Sequence, residues 1–202
     1  CSSDLWLLSR SGHRLYTETW RTMASFADRV AEQWREPDAG IWEIRADTTH
    51  HVHSKMMAWL ALDRAIRMAE HHATGAKRTC RWREEREALH EDITRRGFDP
   101  ESGTYTRSYG SAEVDAALLI LPQLGFEPPG SPRVRGTIEA IARELDAGGP
   151  LLYRYPPGHD GLDGTEGAFL PCSFWMVQAL ARSGRLAEAH ALLDELLALA
   201  SP

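Results

Sequence analysis

Residues 56–62 read Met-Met-Ala-Trp-Leu-Ala-Leu, a run that is apolar on every face of a helix. A helix of this kind has to be buried on all sides. The preceding stretch has apolar side chains only at three- and four-residue steps, which is typical of a helix with one buried face. That predicted stripe consists of Leu15, Thr19, Met23, Phe26, Val30 and Trp34. The sequence therefore predicts a central helix near residues 53–72 and a covering helix beside it.

The same alternation continues along the chain. Further segments that are apolar nearly all round lie at residues 112–121 and 169–182, and one-faced segments lie at residues 81–96, 132–145 and 186–197. Pro122 is expected to end the second inner helix, and Ser131-Pro132 is a typical helix start. A strand has only weak support, at residues 151–155. Inner helices covered by outer helices satisfy this pattern, so we expect an all-α, two-layer ring of about seven helices that is not closed.

Composition excludes several classes of function. The chain has 202 residues, 43% of them hydrophobic, and a net charge of −6. We expect no nucleic-acid partner, because no basic stripe with interleaved aromatic residues is present. We expect no membrane partner either, because the apolar runs are too short to cross a bilayer. Three widely spaced cysteines fit a reducing compartment, so a cytoplasmic location is expected.

The connections also alternate in length. Long loops at residues 38–52, 99–111 and 148–168 lead into the inner helices, whereas the returns to the outer layer are short. Long loops at one end of a rigid scaffold commonly carry function. All three would meet at the N-terminal ends of inner helices, where free N–H groups and the helix dipole favour negative or hydroxyl-rich ligands.

The first loop contains a candidate general acid. It reads Asp-Ala-Gly-Ile-Trp-Glu-Ile-Arg over residues 38–45. The ring of Trp42 can stack on a sugar and exclude water, which would raise the pKa of Glu43 toward that of a useful acid. The positive charge of Arg45 would instead lower the pKa of Glu43. Taken alone, the spacing favours an ordinary loop glutamate paired with Arg45.

The third loop contains a candidate general base, Glu166, directly before an inner helix. The helix dipole would keep its carboxylate ionised, as a base requires. Taken alone, a first-turn glutamate that stabilises the helix end is the simpler interpretation. Glu43 and Glu166, if they lie at one end of the same ring, suggest a catalytic pair. One carboxyl group would protonate the leaving oxygen while the other activates water on the opposite face of a sugar.

Several other polar and aromatic residues are candidates for substrate contact. His51 and His53 have no matching third ligand, so no metal site is predicted, and His53 is expected to start a helix or to bond a sugar. Lys55 either faces the mouth of the site or lies in a solvated first turn. Ser111 is expected to cap the second inner helix. The candidate sugar contacts are Trp42, Arg45, His53, Lys55, Tyr109, Asp115 and Trp175.

Five stretches in this order resemble glycoside hydrolase family 15, the group of glucoamylases, glucodextranases and bacterial trehalases. They are residues 34–45, 53–65, 96–100, 108–115 and 165–175. The resemblance implies an (α/α)6 toroid, of which residues 1–202 would be the C-terminal part of the catalytic domain. The N-terminal half of the ring, a β-sandwich domain and the last inner helix would then be absent.

The resemblance also implies a reaction. It implies an inverting, exo-acting α-glucoside hydrolase with Glu43 as acid, Glu166 as base, Trp42 beside the acid and a carbohydrate partner. The chemistry of this reaction requires no cofactor. It does not separate trehalose from α-glucans. We expect the 202-residue chain to be inactive alone, because an open ring would expose inner helices. Two other interpretations stay open: a helical-repeat scaffold that presents loops to a partner, and a toroidal lyase or epimerase using Tyr/His or His/His pairs.

Overall fold

The computed structural model describes residues 7, 11, 17–43, 47–72, 76–158 and 167–199. These residues form α1 (Thr17–Gln33), α2 (Val52–His71), α3 (Ala76–Arg96), α4 (Leu121–Leu124), α5 (Pro132–Glu144), α6 (Leu170–Arg182) and α7 (Leu186–Ala198), with a 3-10 helix, Ala116–Ile120, before α4. Strands β1 (Phe98–Asp99) and β2 (Thr104–Tyr105) form one short antiparallel hairpin. The predicted all-α class is confirmed. Within the described ranges, no helix has both the length and the apolar character needed to cross a membrane.

Helix α2 is the inner helix that residues 56–62 predicted. Its sides pack against α1, α3 and the 3-10 helix. Residues on all of these sides are buried, among them Val52, Met56, Trp59, Leu62, Ile66 and Met68. Met57 is exposed by 37%, so one edge of α2 is uncovered among the described residues. The inner-layer prediction for residues 53–72 is otherwise confirmed.

Helices α1 and α3 form part of the outer layer. In α3 the apolar residues Trp82, Leu89 and Ile93 are fully buried on one face, so the one-faced pattern predicted for residues 81–96 is confirmed. In α1 the predicted stripe is wrong at Phe26, whose side chain is 68% exposed. The buried face is instead rotated toward three alanines, Ala24, Ala27 and Ala31, together with Met23. Small side chains allow helix backbones to approach closely, so the alanine face of α1 is the face that packs against α2 and α3.

The predicted inner helix at residues 112–121 is wrong in its first half. Residues 111–115 are not helical, and the 3-10 helix and α4 follow. The helix cap is Asp115, whose carboxylate accepts a bond from the Ala117 N–H (2.7 Å), whereas Ser111 Oγ accepts one from Glu113 N–H (3.0 Å). Pro122 does not end the helix, because it lies in the first turn of α4, where a missing N–H costs nothing.

The C-terminal helices complete the two layers. Ser131 caps α5 by accepting a bond from Val134 N–H (3.2 Å), with proline at the next position as predicted. Helix α6 packs against α5, α7 and the 3-10 helix. Leu170 and Phe174 are exposed by 47% and 37%, so one side of this predicted inner helix is uncovered among the described residues. For residues 186–197 the sequence predicts one apolar face that includes Leu186, Ala189, Leu196 and Leu197. In α7 this face is only partly buried, because Ala189 and Leu196 are buried while Leu186 and Leu197 are more than half exposed.

Gly136 provides a test of how α5 packs on the hairpin. A Cβ atom at this position would lie 2.6 Å from the carbonyl oxygen of Gly103, and neither backbone can yield easily. Gly136→Ala is therefore expected to lower the free energy of unfolding by about 1–3 kcal/mol, although alanine has the higher helix propensity. Urea denaturation of the full-length protein measures the change.

Gly130→Ala is the matched control, since nothing lies within 4 Å of its added Cβ atom. This variant is expected to stay within about 0.5 kcal/mol of the wild type. Equal stability of the two variants would contradict the close contact between α5 and the hairpin.

Candidate active site

The three long loops meet at one end of the helices, as predicted. Val52 N–H donates to the carbonyl of Arg107 (3.0 Å), which joins the first and second loops at the start of α2. Ala116 N–H donates to the carbonyl of Arg154 (2.9 Å), which joins the start of the 3-10 helix to the third loop. Backbone bonds therefore fix the loops relative to one another, and the side chains between them form one site.

Trp42 lies at the centre of this site. Its indole Nε1 donates to both carboxylate oxygens of Asp115, at 2.9 and 3.0 Å. Trp175 stacks on it with ring centroids 5.9 Å apart, and Phe169 and Tyr155 meet it edge to face at 5.8 and 6.4 Å. We call Trp42, Tyr155, Phe169 and Trp175 the Trp42 cluster. Such rings offer apolar faces on which a pyranose can stack.

Two arginines adjoin the Trp42 cluster and were missed by the sequence analysis. The Arg154 guanidinium carbon lies 5.2–5.7 Å from the ring centroids of Trp42, Tyr155 and Phe169. Arg107 lies 5.0 Å from the ring of Tyr155 and pairs with Glu113 at 3.2 Å. Cation–π attraction favours both placements. The signal that could have revealed Arg154 is the Tyr-Arg-Tyr-Pro sequence at residues 153–156.

Glu43 directly follows Trp42 and its side chain is exposed. Its φ of 47° lies in the left-handed region, where non-glycine residues are uncommon. Backbone strain of this kind persists where the surrounding structure enforces it, and it occurs often at functional sites. The anchored indole of Trp42 fixes the residue directly before Glu43, so the backbone of Glu43 lies next to the Trp42 cluster.

His53 lies in a small recess with Trp42, Arg107 and Asp115. Burial lowers the pKa of His53 to about 4, so its imidazole is neutral at pH 7 and can hydrogen-bond without carrying charge. A neighbouring recess of about 120 Å³ is lined by residues that include Asp47, Thr49 and Glu113, and Ala39, His51 and Arg107 line both recesses. Among the described residues, no three histidine, cysteine or acidic side chains are grouped in a way that could hold a metal ion.

Lys55 lies outside the Trp42 cluster, and its burial agrees with neither of the two interpretations made from the sequence. It is only 3% exposed, so it is neither at the mouth of the site nor in a solvated turn. Its ammonium group donates to the carbonyl oxygens of Trp34 (2.6 Å) and Glu36 (2.5 Å). Lys55 therefore fastens the start of the first loop to α2, because a buried charge requires such partners.

Tyr109 also lies outside the Trp42 cluster. Its ring stacks on His50 with centroids 5.5 Å apart, and the Arg96 guanidinium carbon lies 4.4 Å from its centroid. Burial and the nearby Asp92 carboxylate raise the pKa of Tyr109 well above its ordinary value. These contacts make Tyr109 part of the packing between α3 and the second loop rather than a sugar contact.

Asp115 lies beneath Trp42 and is 5% exposed. Its oxygens accept bonds from the indole of Trp42 and from Ala117 N–H. Both oxygens therefore have protein partners in this structure, and a direct contact of Asp115 with a sugar stays a prediction. Burial raises the pKa of Asp115 to about 6, although the Ala117 and Trp42 hydrogen bonds and the charge of Arg107 act in the opposite direction.

Two of the predicted site residues, Arg45 and Glu166, lie outside the described residues. Of the others, Trp42, His53, Asp115 and Trp175 come together, and Glu43 follows Trp42 in the chain, whereas Lys55 and Tyr109 lie apart. The arrangement at this end of the helices combines aromatic faces, neutral and charged hydrogen-bonding groups and an exposed carboxyl group on a fixed loop.

Comparison with known proteins agrees with this arrangement. The model of the family described as glycosyl hydrolases family 15 matches residues 3–199. A trehalase of Mycobacterium tuberculosis is 40% identical over 201 residues, which are 98% of this chain and 29% of that protein. A trehalase of Thermoplasma acidophilum is 35% identical over 190 residues, 94% of this chain and 32% of that protein. The chain thus spans about 30% of the length of these relatives.

Solved structures show a similar fold. A wild-type glycosidase and a variant of it in complex with glucose both match with a TM-score of 0.76. The match covers 93% of this chain and 48% of theirs at 22% identity. At that identity the likeness concerns the fold alone, and it agrees with the predicted incomplete toroid.

The raised pKa of Asp115 predicts how stability depends on pH. The folded state binds the Asp115 proton more tightly than the unfolded chain does. This contribution to stability is full below about pH 4 and is lost as the pH rises through about 6. Asp115→Asn removes it, so the difference in unfolding free energy between pH 4 and pH 6 should change by up to about 3 kcal/mol. Urea denaturation at both values measures it, and identical pH profiles of variant and wild type would refute the buried ionisation.

Proposed function

The chain belongs to glycosyl hydrolase family 15, and on that premise we propose that it carries the catalytic acid of an inverting, exo-acting α-glucoside hydrolase. The proposed substrate is trehalose, with α-glucan ends as the second candidate. The observation that carries the proposal is Glu43, held in a left-handed conformation directly after the anchored Trp42, where three loops meet. The names of the two trehalase relatives support the choice of trehalose. Family membership favours hydrolysis over the scaffold, lyase and epimerase interpretations.

Glu43 is the proposed general acid. A sugar stacked against the Trp42 cluster would have its glycosidic oxygen near the edge where Glu43 lies. The acid gives its proton to that oxygen while the bond to the anomeric carbon breaks. The exposed faces of the Trp42 cluster and the neutral imidazole of His53 are the proposed sugar contacts, together with Arg45.

Glu166 is the proposed general base, which removes a proton from the attacking water on the opposite face of the sugar. Its place in the chain supports this role. Glu166 precedes Phe169 by three residues, and the Phe169 ring meets the Trp42 ring at 5.8 Å. The described part of the third loop therefore reaches the Trp42 cluster three residues after Glu166 in the chain. Inverting enzymes keep the two carboxyl groups roughly 6.5–9.5 Å apart, which leaves room for the water.

Substitution of Glu43 tests the acid role in the full-length protein. Glu43→Gln should lower kcat on trehalose by about 10²- to 10⁴-fold, because the leaving oxygen is no longer protonated. The same variant should retain most of its activity on α-glucosyl fluoride, since fluoride departs with little protonation. Steady-state kinetics on both substrates measure these rates. An equal loss of kcat on both would show that Glu43 is not the general acid.

Glu166→Gln is the companion variant, and it should be poor on both substrates because water must still be activated. If this variant keeps normal turnover of both, the base is supplied by another part of the full-length protein. The assignment of Glu166 is then wrong, while that of Glu43 is unaffected.

The stereochemistry of the products tests inversion. One glucose unit of α,α-trehalose is attacked by water at its anomeric carbon, and the other leaves with its α configuration intact. An inverting enzyme therefore releases equal amounts of α- and β-glucose before mutarotation. Proton NMR within the first minutes measures the ratio for the full-length protein, and release of α-glucose alone would contradict the proposed mechanism.

A further inference from the structure

We propose that Asp115 is a positioning residue for the acid, which fixes Glu43 by accepting the indole N–H of Trp42 with both carboxylate oxygens. The proposal rests on the proposed function, because it takes Glu43 to be the acid. It assigns Asp115 a role in catalysis that acts entirely through Trp42 and involves no contact with the substrate.

The geometry links a loop to the inner layer. The two oxygens of Asp115 lie 2.9 and 3.0 Å from Trp42 Nε1, and one of them also lies 2.7 Å from the Ala117 nitrogen. Trp42 and Asp115 are 73 residues apart in sequence, so the contact ties the first loop to the start of the 3-10 helix. Hydrogen bonds to a charged acceptor are stronger than neutral ones, and this bond is buried at the carboxylate end.

Asp38 and Trp42 both anchor the first loop through their side chains, and of these two only Trp42 lies next to the acid in the chain. Near its start, Asp38 accepts bonds from Ser54 Oγ (2.6 Å) and from Gly40 N–H (2.7 Å), which fixes the loop to α2. Glu43 comes three residues after Gly40, in a conformation with φ of 47° that an unrestrained loop would leave. Since a misplacement of about 1 Å in a reacting group can cost about 100-fold in rate, the bond at Trp42 is well placed to control protonation.

Two simpler roles for Asp115 make different predictions. If Asp115 only caps the 3-10 helix through Ala117, its loss lowers stability and leaves the chemistry unchanged. If Asp115 binds the sugar, its loss weakens turnover of every substrate. A positioning residue for the acid affects a substrate that needs protonation far more than one that does not.

The test compares Asp115→Asn, Trp42→Phe and the double variant in the full-length protein, on trehalose and on α-glucosyl fluoride. Asp115→Asn should lower kcat on trehalose by about 10- to 100-fold, with KM nearly unchanged, and lower the rate on the fluoride by less than about threefold. In the Trp42→Phe background, Asp115→Asn should cause no further loss on trehalose, because residues that act through one another are not additive.

Asp28→Asn is the matched control. Asp28 Oδ1 accepts the indole N–H of Trp82 at 2.9 Å, the same kind of bond, between α1 and α3 and remote from the Trp42 cluster. This variant should lower the melting temperature and leave the ratio of the two rates at the wild-type value.

Three outcomes overturn the proposal. One is an unchanged ratio of the two rates in Asp115→Asn, whether neither rate falls or both fall equally. Another is an additive loss in the double variant. If Asp115→Asn fails to fold, Trp42→Phe decides alone, since it keeps a ring but removes the N–H, and full trehalose turnover in that variant refutes the role. A wild type that hydrolyses neither substrate overturns the proposed function itself and is recognised before any variant is compared.

Discussion

The hydrogen bonds from the Trp42 indole to the Asp115 carboxylate connect a surface loop to the inner helical layer, and the other site residues are arranged around them. Trp175, Phe169 and Tyr155 pack on the anchored ring. Arg154 lies over the rings of Trp42, Tyr155 and Phe169. The Asp115 carboxylate in turn depends on Trp42 and Ala117. A buried carboxylate is costly unless its oxygens are bonded, and Trp42 and Ala117 provide those bonds.

The helical scaffold makes this contact possible. Because inner and outer helices alternate, the three long loops lie at the same end, and backbone bonds such as Val52 N–H to Arg107 O hold them together. Lys55 contributes from within α2 by binding the carbonyls of Trp34 and Glu36 where the first loop begins. The aromatic faces and Glu43 are thus carried by loops whose positions are determined by a packed core, which is what precise chemistry requires.

The sequence predicted the parts of this structure that depend on local pattern. Helices α2, α3 and α5 follow from apolar periodicity and, in α5, from a capping serine, and the convergence of the loops follows from the alternation of helix types. The predictions are wrong where tertiary contacts determine which residues are helical or buried. Residues 111–115 are not helical, because the side chain of Asp115 caps a later start, and the buried face of α1 turns Phe26 outward. The bond between Trp42 and Asp115 and the position of Arg154 depend on residues far apart in sequence, which no periodicity encodes.

The most direct test of the central claim, that the anchored Trp42 places Glu43 as the acid, is a crystal structure of the full-length protein with glucose bound. We expect the glucose to lie against the Trp42 cluster with the Trp42–Asp115 bonds intact. A carboxylate oxygen of Glu43 should lie about 2.6–3.2 Å from the anomeric oxygen of the sugar. A glucose bound at the Trp42 cluster whose anomeric oxygen is beyond the reach of Glu43, or a glucose bound elsewhere, would contradict the account.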